Sequence, residues 1–279
     1  MRKYVSLLAF LYVSTVYAAP VAYDESINFQ PGINLYNESA KLTDLFGVNG
    51  NQLCAPNAIT HAMNFLKLHR KPNFGSLMSV SDLDQDGRSN TYQDQIRYFF
   101  QACQTNPDVG TYVHQAIDCM DTFVSQSGYG SFTFMIGAHS KSSVPGHSND
   151  QLKRAVTTND LRYYLSNQAG VIMTVGWYKF NVNEQKYVRD GGHFFNLYGY
   201  DFDAAWGNEK IILKVVNSWI NYTGRNSADM FDDVAMNKVT GPEFYYPANI
   251  QFELTGPGFT FTESKALVED IFIIFPFEQ

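Results

Sequence analysis

The run Asp190-Gly191-Gly192-His193-Phe194-Phe195-Asn196-Leu197-Tyr198-Gly199-Tyr200, answered after a polar break by Ile211-Ile212-Leu213-Lys214-Val215-Val216-Asn217, decides how the second half of the chain folds. Both segments are rich in aromatic and β-branched residues and are bounded by Gly, Asn and Asp, which is strand composition. Side chains alternate across a strand, so His193, Phe195, Leu197 and Gly199 share one face, and Ile211, Leu213, Val215 and Asn217 share another. An antiparallel hairpin with Tyr200 opposite Lys210 sets His193 directly opposite Asn217, with Cβ atoms roughly 4.5–5.5 Å apart. A slip of one residue would send the two side chains to opposite faces. Further strands are expected at 171–178, 186–189, 251–254, 260–262 and 271–275.

Upstream the periodicity changes. Ala55, Ala58, Ile59, Ala62, Met63 and Leu66 form a helical stripe, with Pro56 in the first turn where its missing N–H costs nothing. This predicts a helix over 55–68. Shorter helical patterns lie at 92–104, 112–126 and 159–168, the last with Thr158 or Asn159 as cap and Gly170 as stop. Helices first and strands second give an α+β fold.

Cys54 stands directly before the first helix. The partial positive charge and open N–H groups of a helix start favour thiolate over thiol. A small buried core cysteine is the plain alternative. His193 with Asn217 shifts the balance, because an amide can hold one imidazole nitrogen and leave the other for a nucleophile.

The whole chain has 279 residues, 45% hydrophobic and 17% charged, with 20 Lys+Arg against 27 Asp+Glu. That acid excess speaks against a nucleic-acid binder, which needs a basic face. Arg2 and Lys3, an apolar run over 4–13, and small residues at Val16 and Ala18 read as an export signal over 1–18. Its removal takes the net charge from −7 to −9. The expected organisation is a signal peptide (1–18), a polar arm (19–50) and one catalytic domain (51–279). The exported chain would be secreted or periplasmic, without a membrane span after signal removal; no oligomeric state follows from the sequence.

Taken together, these residues resemble the papain-fold cysteine peptidases, and among them are similar to the C39-like peptidases. Cys54-Ala55-Pro56 stands where that group usually has Cys-Gly-Pro. Asn159-Asp160-Leu161, Leu165 and Gly170-Val171-Ile172 resemble its helix-then-strand segment. Gly191-Gly192-His193 with Gly199-Tyr200-Asp201 looks like its histidine strand, and Asn217-Ser218-Trp219 like its asparagine motif. His193 and Asn217 follow Cys54 by 139 and 163 residues. The resemblance implies a papain-like α+β domain, the cysteine at a helix start and an antiparallel sheet carrying His and Asn. It also implies a Cys54-His193-Asn217 triad acting on a peptide or protein substrate through an acyl-enzyme, with no cofactor. A deamidase, transglutaminase or cell-wall amidase would use the same triad, and a non-catalytic papain-fold binding module is the non-enzymatic alternative. Where these families carry an oxyanion glutamine, this chain has Val48; Asn49, Asn51 and Gln52 are the amides at hand, with Gln52 slightly favoured.

Cys103 and Cys119 fall in neighbouring helical stretches. They are expected either as a disulfide, which an exported chain permits, or as two buried thiols. Asp82-Leu83-Asp84-Gln85-Asp86-Gly87 matches the first half of a calcium loop through Asp82, Asp84 and Asp86. Gln93 replaces the bidentate glutamate and Ser89 the aliphatic residue, which favours a solvated turn. His139 and His147 flank a Ser/Gly/Pro loop and are expected on the surface.

Overall fold

The stripe at 55–66 buries completely. In a computed structural model, which describes residues 50–69, 80–83, 87–89, 91–126, 131–139, 151–217, 231–242 and 245–276, helix α1 spans Cys54–His69 after a 3-10 turn at Gly50–Leu53. Ala55, Ile59, Ala62, Met63 and Leu66 are fully buried. Helix α2 (Tyr92–Ala102) begins with a capping box of Thr91 and Asp94, and α3 (Val113–Gln126) follows it. These helices share one apolar cluster. The Cys103–Cys119 disulfide lies inside that cluster and joins the end of α2 to α3, with Cα atoms 4.9 Å apart. Helix α4 (Thr158–Ser166) is capped by Thr157 rather than by Thr158 or Asn159, because Asp160 and Thr157 form a reciprocal capping box.

Eight strands follow or interleave: β1 (Ser131–Gly137), β2 (Gln151–Lys153), β3 (Gly170–Asn181), β4 (Lys186–Asp201), β5 (Lys210–Val216), β6 (Phe231–Lys238), β7 (Phe252–Thr255) and β8 (Lys265–Pro276). Strands β3, β4, β5, β6 and β7 pair antiparallel in sequence order; β8 pairs with β3 on one side and with β7 on the other, through Glu253 opposite Leu267 and Leu254 opposite Ala266. The result is a closed six-stranded antiparallel barrel. Strand β1 joins the later part of β8, and β2 runs parallel to β1 outside the barrel.

This corrects the papain-like α+β expectation of a helical part followed by a sheet. The sheet closes on itself, and the helices are few and lie outside it. Closure comes from β8, long enough to carry β7 and then β1 along a single edge. Barrels remove the exposed edges that an open antiparallel sheet must protect. The interior is filled by alternate residues such as Val171, Met173, Val175, Phe195, Leu213 and Val234. The outward residues Ile172, Phe194, Phe272 and Ile274 carry α1 and its neighbours. Gly170 lets α1 approach: a Cβ there would lie 2.9 Å from Leu66 Cδ1.

Other expectations shift in detail. The stretches 186–189 and 193–200 are one strand, whereas 260–262 forms only a bridge between Thr260 and Lys265. Strands β1, β2 and β6 have no counterpart among the expected ones. The β4–β5 register also differs: Tyr200 lies opposite Leu213, not Lys210, because the connection contains a 3-10 turn at Ala204–Trp206. That register alone would put His193 and Asn217 on opposite faces. An irregularity at Tyr198, between Leu197 and Gly199, moves the ladder by one residue and restores the shared face. No helix among the described residues is long and apolar enough to cross a membrane.

Candidate active site

Helix α1 places Cys54 at its first position, buried and outside any disulfide. Its sulfur is addressed by three backbone N–H groups. Two, of Cys54 and Ala55, belong to the open helix start; the third belongs to Phe194 on β4, next to His193. Burial pushes the thiol pKa up, and the three N–H groups pull against it without overcoming it.

His193 and Asn217 are each 1% exposed. His193 Nε2 lies 3.1 Å from Asn217 Oδ1. With the amide oxygen as acceptor, Nε2 carries the proton and Nδ1 keeps its lone pair. In the observed register Asn217 is a diagonal neighbour of His193, within reach across a strand pair. Burial lowers the His193 pKa to about 4, with the Asn217 hydrogen bond acting in the opposite direction. The ring stacks 6.1 Å from Phe195, which faces the barrel interior. The sulfur thus meets β4 at the N–H of Phe194, one residue beyond the histidine that bonds Asn217, and at neutral pH the Cys54 thiol and the His193 ring are both uncharged.

The other expected residues lie as follows. Gln52 donates from Nε2 to the Asp108 carbonyl at 3.2 Å, and its Oε1 sits 3.0 Å from where a Gly110 Cβ would be. Its amide therefore ties the 106–110 turn to the start of α1. Asp82 Oδ2 accepts the Gly87 N–H at 2.9 Å, and Gly87 has φ 85°, a turn that glycine alone enters without strain. Asp84 and Asp86 lie outside the described residues, as do Trp219, His147 and segments 1–18 and 19–49.

His139 is not a plain surface residue. Both its backbone N–H and its ring Nδ1 reach the Asp270 carboxylate, each at 2.8 Å. Beside it, Arg189 Nε and Nη2 bond both Glu269 oxygens, at 2.6 and 3.1 Å, and the Tyr178 hydroxyl donates to Glu269 at 2.7 Å. Glu269 and Asp270 are fully buried. Consecutive strand residues ordinarily face opposite ways. Here Thr174 pairs with Asp270 and Val175 with Val268, so Glu269 is the extra residue of a bulge and joins Asp270 on the outer face. Donor atoms of His139, Glu269 and Asp270 lie within 4.8 Å of one another, as metal ligands do. Arg189 and Tyr178 already hold Glu269, so a guanidinium supplies the positive charge. Comparison of the chain with models of known protein families and with curated protein sequences gives no match.

Proposed function

We propose that this protein is an exported thiol hydrolase, a cysteine peptidase of the kind its C39-like resemblance implies. The observation that carries the reading is the His193 Nε2–Asn217 Oδ1 bond, on a strand whose next backbone N–H is directed at the Cys54 sulfur. Asn217 fixes the tautomer that makes Nδ1 a base. His193 takes the thiol proton as the sulfur attacks a substrate carbonyl, returns it to the departing amine, and then activates water to release the acyl-enzyme. The backbone N–H of Cys54 at the helix start supplies a donor for the oxyanion. None of these steps needs a cofactor. Export fits the disulfide and the N-terminal pattern.

The burial of an uncharged Cys54 and His193 favours a second reading, a binding module that does no chemistry. Incubation with a peptide library followed by mass spectrometry separates them. New N-termini that vanish in Cys54→Ala and His193→Ala support the peptidase. Ammonia release or cross-linking with the same dependence moves the reaction to a deamidase or transglutaminase. Turnover that survives Cys54→Ala contradicts a thiol mechanism altogether.

A further inference from the structure

A cavity of about 320 Å³ lies beside the β7–β8 connection, and none of Cys54, His193 and Asn217 lines it. Its origin is a difference in strand length. The ladder between β3 and β8 ends at Tyr178 opposite Lys265, whereas β3 and β4 stay paired through Phe180 opposite Tyr187 and beyond. The end of that hairpin therefore overhangs β8. Phe180 and Tyr187 line the cavity from the overhang, and the turn at 261–264, between the bridged residues Thr260 and Lys265, lines it from β8. Close packing would ordinarily fill such a space. Here the connecting loop is bonded to itself instead. The Gly256 N–H donates to the Thr260 hydroxyl at 2.9 Å, and the Gly256 carbonyl accepts the Phe259 and Thr260 N–H groups at 3.0 and 3.1 Å. Phe259, another lining residue, is anchored in the barrel with its ring centroid 4.9 Å from that of Phe195.

The lining combines aromatic rings with polar groups. Phe180 is 38% exposed and stands edge-on to Tyr187, with ring centroids 5.3 Å apart. Lys265 donates to the Glu253 carboxylate and holds its ammonium 5.8 Å from the Tyr187 ring centre. Thr262 and Ser264 add hydroxyls, and Glu263 a second carboxylate. These groups discriminate between ligands. Two carboxylates against one ammonium leave the lining net negative, which disfavours an anion. An amine is disfavoured because Lys265 already occupies the acid and the ring that it would seek. A purely apolar ligand would strip water from the Glu253–Lys265 pair and return no hydrogen bond. A sugar escapes all three objections. It is uncharged, its hydroxyls both donate and accept, and its C–H face suits the negative face of an aromatic ring. The volume also lies at the small end of the roughly 300–1,000 Å³ range of small-molecule sites. We propose that this cavity binds a neutral mono- or disaccharide, with Phe180 as the stacking ring and Glu253 and Lys265 as a fixed acceptor and donor. Nothing in it requires Cys54 to be a nucleophile.

Titration of the intact oxidised protein tests the site. The probes are glucose, galactose, mannose and N-acetylglucosamine, each as the monosaccharide and as a disaccharide, followed by saturation-transfer NMR and by tryptophan fluorescence. Trp177 packs edge-on to the lining residue Phe261, with ring centroids 4.8 Å apart, so an occupied cavity should shift its emission. At least one of these sugars should bind saturably. Phe180→Ala and Glu253→Gln/Lys265→Met should each weaken that binding by about tenfold, the factor for a lost ring contact or a lost charge-assisted hydrogen bond. Circular dichroism checks that each variant is folded. Phe180→Ala, which trims a partly exposed ring, keeps the test decisive if the double variant does not fold. No saturable response to any of the sugars overturns the proposal, and so does a response that neither folded variant weakens. Saturable binding of butylamine or acetate without binding of any sugar overturns it as well.

Discussion

At the scale of single residues, the site depends on charges and protons held in unusual places. Glu269 is a fully buried carboxylate whose partner Arg189 is nearly half exposed. Arg189→Met would leave that charge unpaired and should cost about 2–3 kcal/mol in denaturant unfolding, less than a fully buried pair because solvent screens the arginine. Adding Glu269→Gln should recover much of the loss; no recovery would show that the arginine stem's packing matters more than its charge. The His193–Asn217 pair is legible in the sequence because period-2 alternation places the two on faces that a hairpin can join, although the observed register reaches that result only through the irregularity at Tyr198. Cys54 is joined to them by the family resemblance. The sequence does not show Glu269 and Asp270 as a pair. Neighbours in a strand point apart unless a bulge intervenes, and the bulge arises from the pairing of β8 with β3.

At the scale of elements, the helices were legible and their joining partly so. The 55–66 stripe has the 3.6-residue period of a buried helix, and α1 follows it closely. Thr157 and Asp160 form the capping box that fixes the start of α4, a signal of cap and acid three residues apart that outweighs Thr158 and Asn159. The Cys103–Cys119 bridge ties α2 to α3 within the cluster that includes Leu53 and Cys54. Closing a 17-residue loop, it should contribute about 3 kcal/mol. Reduction, or Cys103→Ser/Cys119→Ser, is expected to lower unfolding stability by that amount; a change below about 1 kcal/mol would show that the helices hold without it. Strand β6 escaped notice because Asp232 and Asp233 interrupt its apolar pattern, although Val234 and Met236 alternate into the barrel.

At the scale of the whole molecule, closure is what the sequence conceals. It depends on contacts between β7 and β8 and on strands too short or too polar to announce themselves, so the chain reads as helices followed by a sheet. One consequence of burying neutral histidines, one on a barrel strand and one on the helix packed outside it, is acid sensitivity. Burial holds His193 at about 4 and His61, on α1, at about 3, against an ordinary value near 6.5. The unfolded chain takes up these protons first, so this stability is complete above pH 6.5, erodes as pH falls below that value, and is fully lost once pH reaches the lowered values. For His193 the loss is about 3 kcal/mol between pH 6.5 and 4, measurable by urea unfolding across that range. A flat stability profile there would contradict the burial of neutral histidines. The central claim is that neutral His193 serves as the base for the Cys54 thiol, and the pH dependence of Cys54 alkylation by iodoacetamide tests it most directly. An ordinary thiol reacts about tenfold faster per pH unit below its pKa. Here a base already unprotonated above about pH 4 should give a nearly level wild-type profile between pH 5 and 8, with the tenfold slope returning in His193→Ala. A wild-type profile with the same slope as His193→Ala would contradict the account.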